Sequence, residues 1–387
     1  MIALANWLSP LTAGFVAVLV GFTSSAVIVF QAAAAVGATV AQTSSWIFAL
    51  CMGMGLTSSL LSWRYRIPVL TAWSTPGAAL LATGLVGVSM SDAIGAFVVC
   101  GLLITIAGIT GWFERLMDRI PKSIAAAMLA GVLLRFGIDV FVSAGAQTTM
   151  VVVMVLAFVL FKLLTPRYTV PLVLAVGVAF AWARGLLHFE NVSLALAQPV
   201  WQTPSFSPSV LLGVAVPLFL VTMASQNIPG IATLRASGYS HAPISSLVSW
   251  TGMATVVLAP FGAYALNLAA ITAAICMSPE AHPDAAQRYR ASIAAGAFYL
   301  ITGIFGATIV ALLAAFPVEL VKALAGLALL GTIGNALNVA LGDETERDAA
   351  LLTFLCAASG LTLWGVGSAF WALVVGGFVM AMGWRRT

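Results

Sequence analysis

Long apolar runs separated by short polar connections occupy almost the whole chain. A helix needs about 20 apolar residues to cross the hydrocarbon core of a bilayer. The clearest runs are Leu11–Phe30, Ile47–Leu61, Ile94–Ile109, Ile124–Val142, Met150–Leu164, Val170–Leu187 and Val210–Ala224. They continue with Leu247–Leu258, Ile293–Ile304, Thr308–Ala315, Val318–Leu341, Leu351–Leu363 and Ala369–Met382. Two weaker segments, Val69–Leu85 and Tyr264–Met277, carry polar and helix-breaking residues. A spanning segment must satisfy its own backbone hydrogen bonds, and these runs are too long for barrel strands, so the pattern predicts helices. With allowance for run boundaries it predicts fourteen spans.

Composition agrees with that pattern. Of 387 residues, 61% are hydrophobic and 7% charged, against about 25% charged in soluble domains. The chain reads as an all-α integral membrane protein. Its net charge of +4 is scattered between apolar runs, which excludes the clustered basic surface that nucleic acid requires. Cys51, Cys100, Cys276 and Cys356 lie in apolar stretches without metal-ligand spacing, so they read as small buried hydrophobes. Leu11–Phe30 lacks a basic leader and a small-residue cleavage site, and reads as a retained first span.

Charge also orients the chain. With an internal N-terminus, thirteen of the 16 basic residues fall on the cytoplasmic side: Arg64, Arg66, Arg115, Arg119, Lys122, Lys162, Arg167, Arg235, Arg288, Arg290, Arg347, Arg385 and Arg386. Arg135, Arg184 and Lys322 remain. Both termini are then cytoplasmic, and the polar loop from His188 to Pro208 is external.

That loop divides two similar halves, residues 1–187 and 209–387, with 188–208 as linker. Ile120-Pro121 followed by Leu129-Ala130-Gly131 recurs as Phe316-Pro317 followed by Leu324-Ala325-Gly326. The first span of each half has a polar middle, Thr23-Ser24-Ser25 and Ser225-Gln226-Asn227. Seven spans per half insert the copies in opposite directions, the inverted-repeat architecture of secondary transporters, whose substrate site lies where the repeats meet.

Segments three and ten are the predicted broken spans. Pro68 and Pro76 prevent one continuous helix, and Val69-Leu70-Thr71 is extended in character. Ser74 or Thr75 can cap a half-helix with Pro76 in its first turn, which places the N–H groups of Gly77 and Ala78 at its start. In segment ten, Asn267 is placed to cap a second half-helix containing Leu268, after the Gly262 entry. Two half-helix starts near the midplane make an anion site without lysine or arginine. Gln226 and Asn227 are costly in lipid unless they find interior partners, either another helix or a substrate. Ser25 can permit close helix packing, and Trp73 and Tyr264 can wall an aromatic ring or fill core volume.

Carboxylates are absent from the broken segments and from span eight, which favours an anionic substrate. Asp92 is placed as N-cap of span four. Arg135 and Asp139 have the spacing of an ion pair on one helix face, as do Glu319 and Lys322. Glu114, Asp118, Glu280, Asp284 and the acids from Asp343 to Asp348 read as solvated loop residues.

The stretches PVLTAWSTPGAAL, SQNIPGIATLRASGY and FGAYALNLAAITAAICM resemble the bacterial benzoate/proton symporter family, and the resemblance covers essentially the whole chain. More distantly, the arrangement is similar to uracil/xanthine permeases and sulfate permeases. The resemblance implies seven-plus-seven inverted spans, with a core domain (spans one to four and eight to eleven) and a gate domain (five to seven and twelve to fourteen). It implies a substrate held between the extended pieces of segments three and ten. Uracil-type relatives carry carboxylates in spans eight and ten where this chain has Gln226 and Leu266-Asn267, which argues against a nucleobase and leaves the proton carrier unassigned.

The resulting expectation is a multi-pass transporter of a bacterial inner membrane, not an enzyme, importing benzoate or a similar aromatic anion with a proton by alternating access. Its binding residues would be Ser25, Trp73, Ser74, Thr75, Pro76, Gly77, Gln226, Asn227, Tyr264, Asn267 and Leu268. No phosphate loop is present, so neither ATP nor any cofactor is expected. The partners would be substrate, protons and lipid, with room for a homodimer. A carrier or channel for sulfate or bicarbonate is the alternative.

Overall fold

The computed structural model describes residues 2–111, 121–166, 169–364, 366 and 368–382. Arg115, Arg119, Arg167, Arg385, Arg386, Glu114 and Asp118 lie outside the described residues. The first half comprises α1 (Ile2–Ala35), α2 (Val40–Tyr65), β1 (Thr71–Trp73), α3 (Thr75–Gly84), α4 (Met90–Thr110), α5 (Lys122–Ala146), α6 (Thr148–Leu164) and α7 (Thr169–Ala183). The second begins with α8 (Pro208–Arg235). It continues through α9 (Ile244–Leu258), β2 (Leu266–Leu268), α10 (Ile271–Met277), α11 (Tyr289–Ile304), α12 (Gly306–Ala314), α13 (Val318–Leu341), α14 (Arg347–Ala358) and α15 (Ser368–Ala381).

Apart from α12, which has no counterpart in the first half, the halves correspond element by element, and their packing has the pairing that an inverted repeat demands. A two-fold that exchanges α2 with α9 and α4 with α11 turns the α2–α11 contact into the α9–α4 contact, and both pairs pack along their length. The same operation maps α5–α13 and β1–β2 onto themselves, and α6–α7 onto α14–α15; all are in contact. Helices α1–α4 and α8–α11 form one bundle, and α5–α7 and α13–α15 a second. This is the expected fourteen-segment, seven-plus-seven architecture, with segments three and ten broken.

The repeated sequence signals have local causes. Pro121 and Pro317 precede the first residues of α5 and α13. A Cβ on Gly131 would lie 2.5 Å from the Phe354 carbonyl, and one on Gly326 2.2 Å from the Phe136 carbonyl, so both Ala-Gly pairs serve close helix approach. The polar middles of the first spans coincide with irregular helix: α1 bends by 41° between Leu8–Thr23 and Ser25–Ala35. In α8 a π-turn covers Met223–Asn227, a wide turn of the kind often found at functional sites.

Several expectations need correction. The run Thr308–Ala315 is no independent span; it belongs to α12, bent by 68° from the helix before it. Ser89, not Asp92, caps α4, its Oγ accepting the Asp92 N–H at 3.1 Å. Arg135 and Asp139 form no ion pair, and Arg135 is exposed.

The linker lies across the first bundle as an extended strap. Backbone N–H groups of Ala195 and Val200 donate to Thr308 Oγ1 and Ser45 Oγ, both at 2.9 Å. Those of Ala197, Gln202 and Ser205 donate to the carbonyls of Ile304, Pro260 and Ser91. Ser205 Oγ donates to Asp92 Oδ1 at 2.6 Å. Gly95 admits the strap: a Cβ there would sit 1.8 Å from the Ser205 oxygen.

Candidate functional site

Extended backbone deep in a membrane protein must find a partner for every N–H and C=O. Strands β1 and β2 pair antiparallel, with Thr71 opposite Leu268, Ala72 opposite Asn267 and Trp73 opposite Leu266. The outer edge of β1 is satisfied by α2: the N–H groups of Val69 and Thr71 donate to Ser62 Oγ and Ser58 Oγ, each at 3.0 Å. That of Trp73 donates to Met54 Sδ at 3.2 Å. Four helical residues advance about 6 Å and two strand residues about 6.6 Å. Positions 54, 58 and 62 therefore keep step with alternate strand N–H groups. On β2, Leu266 N–H donates to Thr255 Oγ1 and Leu268 N–H to Asn227 Oδ1, both at 3.0 Å.

This frame holds the start of α3 against β2. Ser74 is the N-cap, its Oγ accepting the Gly77 N–H at 3.0 Å, and Pro76 occupies the first turn. The Ala265 carbonyl accepts both the Ser74 N–H at 3.2 Å and Asn267 Nδ2 at 3.1 Å, so the α3 cap and the Asn267 amide meet at one atom. Ala265 has φ +39°, the left-handed conformation that turns this carbonyl inward. Asn267 is fully buried, and its Oδ1 has no hydrogen-bond partner.

The expected site residues separate into groups. Ser25 joins the crossing, the place where β1, β2 and the start of α3 meet: Trp73 Nε1 donates to its Oγ at 2.9 Å, and Phe22 packs edge-on against Trp73. Thr75 is half-buried at the start of α3. Gly77 lets α8 approach, since a Cβ would meet Leu218 Cδ1 at 2.7 Å. Gln226 is half-buried in the π-turn of α8.

Four residues behave differently from expectation. Asn267 does not cap α10; it lies in the middle of β2, and Ala270 precedes α10 without a side-chain cap. The Asn227 amide is consumed structurally, its Nδ2 donating to Met223 Sδ at 3.0 Å while its Oδ1 holds Leu268. Leu268 is buried and serves through that N–H. Tyr264 turns away into a cluster with Trp46 and Phe97, ring centroids 6.3 and 5.7 Å away.

A cavity of about 960 Å³ opens between the two bundles. Leu220, Val221, Ala224 and Ser225 of α8 form one wall, facing Leu129 of α5 and Thr332 and Asn335 of α13. Lys122 and Arg235 stand at its mouth, at the start of α5 and the end of α8. Helix α8 borders both cavity and crossing: Leu218 and Asn227 touch the crossing, while residues between them line the cavity. Sequence reasoning missed Thr332 and Asn335, whose signal was a polar pair three residues apart within an apolar helix.

The bundles also meet unequally. Helix α3 packs on α1 and α8 and also on α5 and α15 of the second bundle, whereas α10 packs on α1, α8 and α11. Ile271, the first residue of α10, is 82% exposed. The chain is therefore closed around α3 and open beside α10.

The structure is a two-bundle membrane fold whose broken segments meet at a pair of antiparallel strands. Solved structures support the architecture. The transmembrane domain of the cyanobacterial bicarbonate transporter BicA matches with TM-score 0.59 at 10% identity, covering 96% of this chain and 97% of that one. SLC26A9 matches with TM-score 0.57 at 14% identity, covering 95% and 65%.

Sequence comparison is more specific. The family model for the benzoate membrane transport protein, BenE, matches residues 5–382, and the chain belongs to that family. It is 54% identical to the inner membrane protein YdcO of Escherichia coli strain K12, covering 95% of this chain and 94% of that one. It is 39% identical to the benzoate membrane transport protein of Acinetobacter baylyi strain ATCC 33305, covering 96% and 94%. The chain is a membrane transport protein, not an enzyme.

Proposed function

We propose that this protein carries benzoate, or a closely related aromatic carboxylate, together with a proton into the cytoplasm by alternating access. The observation that carries the reading is the crossing itself. A capped half-helix start, the half-buried Thr75 and the buried amide of Asn267 lie together, with no carboxylate in either broken segment or α8. The positive end of α3 favours a carboxyl oxygen, and Trp73 and Phe22 supply the aromatic surface for the substrate's ring. Ser74, Thr75 and Gln226 are the polar contacts in this reading. Tyr264, Asn227 and Leu268 hold the frame.

The cavity with Lys122 and Arg235 at its mouth is the inward pathway, because short cytoplasmic loops carry excess basic residues. Both termini then face the cytoplasm, and the strap faces outward. Spans one to four and eight to eleven, residues of both repeats (1–187 and 209–387), act as the core that moves against the gate formed by the others.

The test is radiolabelled benzoate uptake into proteoliposomes with and without an inward proton gradient, with protein-free liposomes as control because benzoic acid crosses lipid unaided. Saturable, gradient-stimulated uptake above that control is expected. Gradient-independent uptake would remove proton coupling. Uptake no faster than the control, alongside transport of sulfate or bicarbonate, would replace the substrate class.

A further inference from the structure

We infer that the co-transported proton travels on the substrate's own carboxyl group, bound as an acid whose O–H donates to Asn267 Oδ1. The inference rests on the functional reading above and deepens it by assigning the proton.

Three observations carry it. Asn267 is fully buried and its Oδ1 lacks a partner, so the crossing holds one buried acceptor whose hydrogen bond is unmade. The amide cannot turn over to offer a donor instead. Its Nδ2 is committed to the Ala265 carbonyl at 3.1 Å, and the reverse orientation would set two acceptors against each other. That same carbonyl accepts the N-cap N–H of Ser74 at 3.2 Å, which places that acceptor at the start of α3, where the reading puts the carboxyl group. Asn267 also pairs with Ala72 across the strands, and Ala72 is half-buried rather than sealed.

An ionised carboxylate at that point would present lone pairs to a lone pair. A proton between the two oxygens turns repulsion into a hydrogen bond, while the second oxygen still accepts from the α3 end. The proton balance is simple. A carboxylate and a proton from the outer aqueous phase form one O–H bond on binding, and that bond ionises again after release on the inner side. One proton crosses per carboxylate, and no net charge moves.

The surroundings contain no better proton carrier. Helices α1, α2, α3, α8 and α9, which pack on the crossing, contain no Asp, Glu or His. Their titratable groups are Cys51 and, at the basic end, Arg64, Tyr65 and Arg235, with Arg66 just beyond α2 and Tyr264 ahead of β2. Helix α5, packed on α3, adds Lys122, Arg135 and Asp139. Asp139 is thus the one carboxylate that could compete.

The experiment measures protein-dependent counterflow of benzoate, 4-nitrobenzoate and 4-methoxybenzoate across a pH series in proteoliposomes, with protein-free liposomes subtracted. The ring substituent moves the carboxyl pKa without touching the protein. The pH above which kcat/KM begins to fall is expected to move with each substrate's own pKa, and beyond it kcat/KM falls about tenfold per pH unit. A break at one pH shared by all three substrates would overturn the proposal and assign the proton to a protein group; its disappearance in Asp139→Asn would identify that group. Asn267→Asp keeps an acceptor oxygen and adds a titrating group. It is expected to show a second break common to all substrates, and a profile identical to the unmodified protein would remove Asn267 from the carboxyl's side. Absence of saturable counterflow with any benzoate in the unmodified protein would instead overturn the functional reading, and this assignment with it.

Discussion

Asn227 offers a sharp separation between holding the site and touching the substrate. Its Oδ1 accepts the Leu268 N–H at 3.0 Å, and both residues are essentially excluded from solvent. Replacement by leucine keeps most of the volume but leaves a buried backbone donor without a partner, a loss of about 1–3 kcal/mol. The weaker amide–sulfur contact to Met223 disappears as well. Removing a polar side chain from an apolar site offsets part of this, so the net destabilisation for Asn227→Leu is about 2 kcal/mol, roughly a thirtyfold fall in the folding equilibrium. Met223→Leu, which exchanges the thioether for a branched hydrocarbon of similar volume, should change stability by less than about 1.5 kcal/mol. Denaturant unfolding of the purified protein in detergent measures both, and counterflow at permissive temperature gives KM. Full stability in Asn227→Leu with a large rise in KM would refute the reasoning and return Asn227 to the substrate.

Two further outcomes follow from the packing. Gly95→Ala drives a Cβ to within 1.8 Å of the Ser205 oxygen. The strap should lift, and amide hydrogen exchange at Ala197, Val200, Gln202 and Ser205 should accelerate while α2 and α11 stay protected; unchanged exchange would mean that α4 yields instead. Lys122 is exposed at the cavity mouth, where a single charge is worth under about 1 kcal/mol. Lys122→Gln should therefore raise KM from the cytoplasmic side by about two- to fivefold, with the effect shrinking as salt rises; a KM that does not move would place substrate entry elsewhere.

Much of the architecture was legible because a bilayer simplifies the code. Apolar run length and loop charge are strong signals there, and Pro76 beside Ser74 marked the start of α3 within one residue. Asn267 misled for a physical reason: an Asn before an apolar run reads as a helix cap, yet the backbone needs of β2 and the carbonyl of Ala265 claimed its neighbourhood first. Tyr264 misled because an aromatic beside a broken helix has the same sequence signature whether it faces substrate or fills space between Trp46 and Phe97. Ser58 and Ser62 carried no visible function, since hydroxyls spaced by four on a helix look like packing residues until a strand lies beside them. Thr332 and Asn335 became meaningful only when α8 supplied the opposite wall.

The unequal packing of α3 and α10 carries the argument for movement. The two-fold that relates the halves takes α3, α5 and α15 to α10, α13 and α7. Contacts of α3 with α5 and α15 are made in this state, so the opposite state should form the symmetry-related contacts of α10 with α13 and α7 and release those of α3. Ile271, 82% exposed now, would become covered, and Thr75, half-buried now, would open. Cysteine labelling reads this directly, because Cys51, Cys100 and Cys276 are buried and only Cys356, of intermediate burial, needs replacement. In Ile271→Cys the thiol should react readily and become protected under gradients that favour the outward-facing state, and in Thr75→Cys the order should reverse. Labelling rates that ignore the gradient at both positions would describe a fixed pore, and alternating access would fail for this chain.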